Sequence, residues 1–348
     1  MGLNSAAAVL EQAVLREPGV DVTWRDVTYY QDGGLVERLP ILPRGAKAIL
    51  RGFLQTGDGL RCGPFDALFF FTQSPAVFRQ AALARTPTCV WTDVTPMQLD
   101  EFAWAYGHAV SRSRWVRAGK RAAVARTFRL ARRCLGWSDW TRRSFVEDYG
   151  VSENKTAVVP PGIDLSCWDG SPRHEHSGPF RLVFVGGHFE RKGGRVLLDV
   201  FRERFRGKAE LSIVTRDPIP EEPGVRVHHG ISAGSDEHRR LLRSADAFVL
   251  PTLADCHSIA SLEAMASGLP VVLTRVGAGP EIVEDGASGF VVPPGDGPAL
   301  AQALGALIED RARAGEMGAR GRALVERHFD GRTTAARIVE ELHIAAGR

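Results

Sequence analysis

Two carboxylates and two cations in the second half of the chain have the residue types and spacing to handle a phosphorylated substrate. Asp255 and Glu263 stand eight positions apart in DAFVLPTLADCHSIASLEAMASGLPVVL, which runs from Asp246 to Leu273. An apolar run ends at Leu250, a polar loop carries Asp255, Cys256, His257 and Ser258, and a helical pattern then carries Glu263 and stops at Gly268. This places one acid at the mouth of a loop and the other in the second turn of a helix. Both then face the C-terminal edge of a sheet, where α/β domains bind ligands. The helix start at Ser258, between His257 and Ile259, exposes N–H groups and the positive end of a dipole, a setting suited to phosphate. A second helix start, Gly279-Pro280-Glu281, repeats the arrangement. Upstream, VFVGGHFERKGG, Val183 to Gly194, feeds an apolar run into a loop with Gly186 and Gly187, then Arg191 and Lys192. Loop N–H groups with two cations beside them form a diphosphate site.

These residues need a rigid frame. After residue 180, RLVFV, LSIV, VRV, DAFVL, PVVL and FVV alternate with amphipathic helical patterns. Continuous apolar strands separated by helices indicate a parallel sheet buried on both faces. The first half repeats this less clearly, with expected strands at VDVTW from Val20, ALFFF from Ala67, TCVWT from Thr88 and RCLGW from Arg133. The expected architecture is therefore α/β, with two doubly wound Rossmann-like domains facing a cleft. The Ser166 to Pro179 stretch has no apolar periodicity and reads as the connection. We divide the chain into an N-terminal domain at 1–165, a C-terminal ligand domain at 166–330, and a helix at 331–348 expected to pack back on the N-terminal domain. The chain opens on a helical pattern, AAAVLEQAVL, with Asn4 or Ser5 as N-cap and no strand before it. A first strand is accordingly expected to be missing.

Length and composition narrow the function class. The chain has 348 residues, 44% hydrophobic and 24% charged, which is enough for two globular domains. Its net charge of +3, divided as +5 up to residue 165 and −2 beyond it, is too small to make nucleic acid or a membrane the obvious partner of the whole chain. Five cysteines, none in a C-x-x-C pair, argue for reduced thiols in a cytoplasm and against a zinc site. No apolar run reaches membrane-spanning length, and no signal peptide pattern is present.

The Asp246 to Pro294 segment resembles the donor-binding signature of the GT-B glycosyltransferases of family 4, with its acid, seven residues, Glu, an EAMA-G-PVV run and a glycine-rich PE turn. Here Asp255 stands where that family has a first Glu. The resemblance places Asp255 near the donor sugar and Glu263 on the ribose hydroxyls of the nucleotide. It places Lys192 on the leaving diphosphate. The family's companion Arg falls on Gly187, leaving Arg191 as the expected substitute. Val158 to Asp164, VVPPGID, resembles the family's passage between domains, although a Pro-Gly turn explains it equally well. Val214 to Pro218 and His228 to Gly230 occupy positions that approach the nucleotide base in the family. The resemblance covers about residues 155 to 330 by motif and the first half by order alone.

What this implies is a retaining, metal-independent hexosyltransferase-like enzyme with no cofactor. Asp255, Lys192 and Arg191 would be catalytic, and Gly186, Gly187, Gly230, His257, Ser258, Ile259 and Glu263 would hold the donor. On the acceptor side the strand-end loops offer Thr72, Gln73, Asp93 and His108; Asp93 or His108 could position or deprotonate a hydroxyl. Ser111 to Arg133 carries nine basic residues and no acid, interrupted by Trp115, Val116, Phe128 and Leu130. Such a helix either lies on anionic lipid at the inner face of a membrane or buries its apolar side against a sheet. Two alternatives stay open: an epimerase or phosphorylase of the same architecture, and a non-catalytic protein that binds a nucleotide sugar or lipid.

Overall fold

A computed structural model describes residues 2–40, 42–168 and 177–347. Its contacts divide into two compact units, each assembled from several chain segments.

One unit comprises Met1–Leu10, Trp104–Gly107 and Pro160–Thr334. Among its described residues, six strands form an all-parallel sheet: β5 (Phe180–Val185), β6 (Ala209–Val214), β7 (Val225–His228), β8 (Ala247–Leu250), β9 (Val271–Thr274) and β10 (Gly289–Val292). Their spatial order is β10-β9-β8-β5-β6-β7. Every residue of β8 and β9 is buried, as continuous apolar runs require of central strands covered on both faces. Phe184, Leu197, Phe201, Phe248 and Leu262 fill the core. All six strands expected from the sequence form, each within two residues of its expected start.

The second unit comprises Glu11–Ala103, His108–Val159 and Ala335–Arg348. Its parallel sheet runs in simple order through β1 (Leu68–Phe71), β2 (Thr88–Thr92), β3 (Arg133–Gly136) and β4 (Thr156–Val158). The Arg114–Leu130 helix, capped by Ser113, buries Val124, Ala125, Thr127 and Phe128. Phe128 meets Phe145 and Tyr149 edge-on at 4.9 and 5.1 Å. On the other side of the sheet, Trp91 packs with Phe71 and Trp137 and donates Nε1–H to the Val159 carbonyl at 2.6 Å. The C-terminal helix, Gly331–Ala346, joins this unit from Ala335 onward. Glu341 forms a bidentate ion pair with the Arg133 guanidinium, with Nη2 to Oε1 at 3.0 Å.

Two sequence expectations change. Val20 to Trp24 is no strand: side-chain exposure does alternate there, but no ladder partner stands beside the segment among the described residues. The first helix starts at Gly2, ahead of the expected caps Asn4 and Ser5, and runs to Val14. Most of the Ser166 to Pro179 connection, residues 169–176, lies outside the described residues.

Candidate functional site

The strand order of the six-stranded sheet dictates where a site can form. From β5 the chain steps outward to β6 and β7, then returns to place β8 on the opposite side of β5. The loops leaving β5 and β8 therefore diverge from adjacent strands and open a crevice at their C-terminal ends. Lys192 lies in the first of these loops and Asp255 in the second.

Backbone contacts knit the two loops together. Arg191 accepts at its carbonyl from the Leu253 N–H at 2.9 Å. Gly193, at φ +76°, lies so close to Pro251 that an added Cβ would sit 1.8 Å from its carbonyl oxygen. A third loop, after β9, joins them through Ala278 N–H to the Cys256 carbonyl at 3.0 Å. Gly277, at φ +53°, permits this approach, since a Cβ there would meet the Asp255 carbonyl oxygen at 2.2 Å.

Within this frame the Lys192 ammonium is ion-paired with the Asp255 carboxylate, the two side chains being 15% and 11% exposed. The second Asp255 oxygen accepts from the Cys256 N–H at 3.1 Å. Arg191 is committed elsewhere: its Nη1 donates to the Ala254 carbonyl at 2.8 Å and to Tyr106 Oη at 3.3 Å, and its guanidinium lies 4.5 Å from the Tyr106 ring centroid. Burial pushes the Tyr106 phenol well above its ordinary range. Tyr106 Oη also lies 3.7 Å from Cys256 Sγ, 150 positions away in sequence.

Ser258 caps the Ile259–Ala266 helix by accepting from the Ser261 N–H. His257 beside it is half-buried, and desolvation of its ring pushes the imidazole down to about 4, against the pull of Asp255. Glu263 is 6% exposed, and burial alone, with no cation paired to it among the described residues, pushes its carboxyl up to about 8.

Gly186 lies against Phe184 and Lys192, and its N–H donates to the Val214 carbonyl at 2.9 Å. Gly187 stands beside the Arg216 guanidinium, and Gly230 takes a positive φ just after β7. The structure thus brings Gly186, Lys192, Asp255 and its loop together, while Arg191 is turned toward Tyr106 rather than toward Gly187. Tyr106 escaped the sequence-based assignment, and Arg216 entered it only as part of the Val214 to Pro218 stretch expected near the nucleotide base. No local signal marks Tyr106, whereas Arg216 falls in VTRDP after β6, the strand next to β5.

On the second unit, His108 Nε2 lies 2.8 Å from an Asp100 carboxylate oxygen, an imidazole–carboxylate pair. The Asp93 carbonyl accepts from the Thr141 hydroxyl at 2.6 Å. Thr72 adopts φ +77°, a strained region for a β-branched residue, at the end of β1. Gln73 next to it is buried, and its Oε1 accepts no hydrogen bond among the described residues. No three His, Cys, Asp or Glu side chains among the described residues stand together as metal ligands.

Comparison with known proteins points the same way. The model of the family described as Glycosyltransferase Family 4 matches residues 14–166, and that described as Glycosyl transferases group 1 matches residues 179–310. The MMP alpha-(1->4)-mannosyltransferase of Mycolicibacterium hassiacum is 29% identical over 271 residues, covering 69% of this chain and 64% of that protein. The chain spans between about half and two thirds of the length of the curated relatives it matches first. Among solved structures, sucrose-phosphate synthase from Thermosynechococcus elongatus superposes with a TM-score of 0.70 at 15% identity, covering 97% of this chain and 90% of that one. Anabaena Alr3699/HepE in complex with UDP-glucose superposes at 0.66 with 20% identity, covering 87% and 84%. With two Rossmann-like α/β units and family matches along most of its length, the chain belongs to the family 4, group 1 glycosyltransferases of the GT-B fold.

Proposed function

We propose that this protein transfers a sugar from a nucleotide-diphosphate donor to an acceptor hydroxyl, with retention of anomeric configuration and without a divalent metal. The observation that carries this reading is the meeting of Lys192 and Asp255 at the switch point between β5 and β8, with the buried Glu263 on the helix that follows. As the nucleotide leaves, negative charge develops on its diphosphate. The Lys192 ammonium and the N–H groups at the Ser258 helix start can take up that charge, which is electrostatic stabilisation by groups already in place. Asp255 would hold the sugar and offset positive charge growing at its anomeric carbon. Glu263 would accept from the ribose hydroxyls. The complex of Alr3699/HepE with UDP-glucose supports a nucleotide-sugar donor as the ligand class.

Thermal denaturation against UDP, GDP, ADP, dTDP and their sugar conjugates tests this, since a ligand of the folded state stabilises it by about 2.7 kcal/mol at a hundred times its Kd. One nucleotide is expected to raise Tm equally with and without EDTA, and its sugar conjugate to give a product of retained configuration by NMR. No shift with any nucleotide would overturn the proposal.

The acceptor is proposed to be presented at a membrane surface. No helix among the described residues is long and apolar enough to cross a membrane. The Arg114–Leu130 helix supports surface contact instead. Its C-terminal half is packed into the core, while residues 112–122 are exposed, with Arg112, Arg114, Arg117, Lys120 and Arg121 around a Trp115 that is 74% exposed. Basic residues around an exposed Trp suit an anionic headgroup layer. Trp115 emission should shift to the blue with vesicles containing phosphatidylglycerol and stay unchanged with phosphatidylcholine alone. An unchanged spectrum with both would remove the membrane from the proposal.

A further inference from the structure

We propose that Arg216, from the loop after β6, is the second cation that grips the donor diphosphate, standing where a side chain on Gly187 would otherwise lie. The inference rests on the donor reading above and adds a residue to it. Four cations among the described residues border the loop after β5, and one of them, Arg195, is ion-paired with Glu190. Lys192 is ion-paired with Asp255, and Arg191 is turned toward the Ala254 carbonyl and the Tyr106 ring. Arg216, like Arg191, forms no ion pair with a carboxylate among the described residues, but its guanidinium contacts the glycine loop itself. Its Nε donates to the Gly187 carbonyl at 3.3 Å, and its Nη2 lies 3.2 Å from His188 Nε2.

Those two contacts fix the guanidinium against the glycine loop while leaving its charge uncompensated. Partial desolvation, then the Arg191 and Arg216 charges, push the His188 imidazole below its ordinary value, which favours its neutral form beside the guanidinium. The adjacent acid, Asp217, does not neutralise Arg216; its carboxylate accepts from the Phe189 N–H at 2.6 Å. The absence of a side chain at position 187 is what makes room. A Cβ there would sit 3.1 Å from both Nε and Nη2 of Arg216, so a long side chain at 187 and the guanidinium compete for one place. An arginine reaching from β6 rather than from β5 thus brings its charge to the same glycine loop. A planar guanidinium suits two phosphoryl oxygens at once.

The test uses the full chain and two probes, the nucleoside diphosphate that raises Tm most and its nucleoside monophosphate, with affinities measured by calorimetry. Arg216→Ala should weaken the diphosphate by about 10- to 100-fold and the monophosphate by less than about threefold, the loss of a charge-assisted contact to the outer phosphate. Because Arg216 is exposed, Tm without nucleotide should stay unchanged. Gly187 does not take a positive φ, so the double change Gly187→Arg with Arg216→Ala should recover at least part of the diphosphate affinity. Arg216→Ala binding the diphosphate as tightly as the unmodified chain would overturn the proposal. So would an equal loss for both probes, which would place Arg216 at the nucleoside. If the unmodified chain binds no nucleoside diphosphate, the donor reading falls first and this proposal with it.

Discussion

Replacing Lys192 with alanine is expected to lower kcat/KM by about 100- to 1,000-fold, the range for removing one group that stabilises charge developing in a transition state. The change acts twice. It removes the ammonium that would meet the departing diphosphate, and it leaves the Asp255 carboxylate, only 11% exposed, as a lone anion beside the proposed diphosphate site. The double change Lys192→Ala with Asp255→Asn separates these contributions. If it recovers nucleotide affinity but not turnover, repulsion from Asp255 governs binding and the cation governs the chemical step. Most of the loss should fall on kcat, because the charge to be stabilised grows as the bond breaks. Turnover within about threefold of the unmodified enzyme would remove Lys192 from the reaction.

The second large effect is on nucleotide binding and its pH dependence, and it comes from Glu263. Its carboxyl is held up to about 8 in the folded protein, against an ordinary 4.5. Between these values the unfolded chain releases this proton and the folded chain keeps it. The sign is therefore fixed: Glu263 makes stability fall as pH rises from about 4.5 to 8, by up to about 1.4 kcal/mol per pH unit, and its contribution levels off above that. Glu263→Gln should flatten the pH dependence of the urea midpoint across this window. If ribose hydroxyls donate to an ionised Glu263, binding must expel the proton, so affinity should climb by up to about tenfold per unit between pH 6.5 and 8. Calorimetry in buffers of different ionisation enthalpy would detect that release. Glu263→Ala should weaken the nucleotide by about 100-fold, a buried polar site having lost its acceptor. An affinity that is level with pH and unaffected by either substitution would take the ribose contact away.

Much of the frame was legible because of how its strands are buried. Strands β5, β6, β8 and β9 lie inside a parallel sheet covered on both faces, so each shows as an apolar run that needs no knowledge of its neighbours. Val20 to Trp24 misled for the complementary reason: alternation describes one extended segment, whereas a strand also needs a partner, and pairing is not encoded locally. Asp255 and Glu263 were legible because one loop and one helix carry both. The ion pair between Lys192 and Asp255, 63 positions apart, was not, since it depends on β5 and β8 being adjacent. The same adjacency argument covers Arg216, which needs β6 beside β5, and the commitment of Arg191, which needs Tyr106 from far upstream.

The unit that holds the six-stranded sheet is not one stretch of chain. It takes in Met1–Leu10 and Trp104–Gly107 as well as Pro160–Thr334, and the short middle segment carries Tyr106 onto Arg191. Modular shuffling at a single junction near residue 165 would therefore graft an incomplete part. A chimera that imports residues 166–330 alone inherits Arg191 without its aromatic cap and leaves behind Val9, Ile163 and Gly331, which pack together in the same unit. Recombination between relatives should succeed more often when the 104–107 segment travels with the sheet it touches.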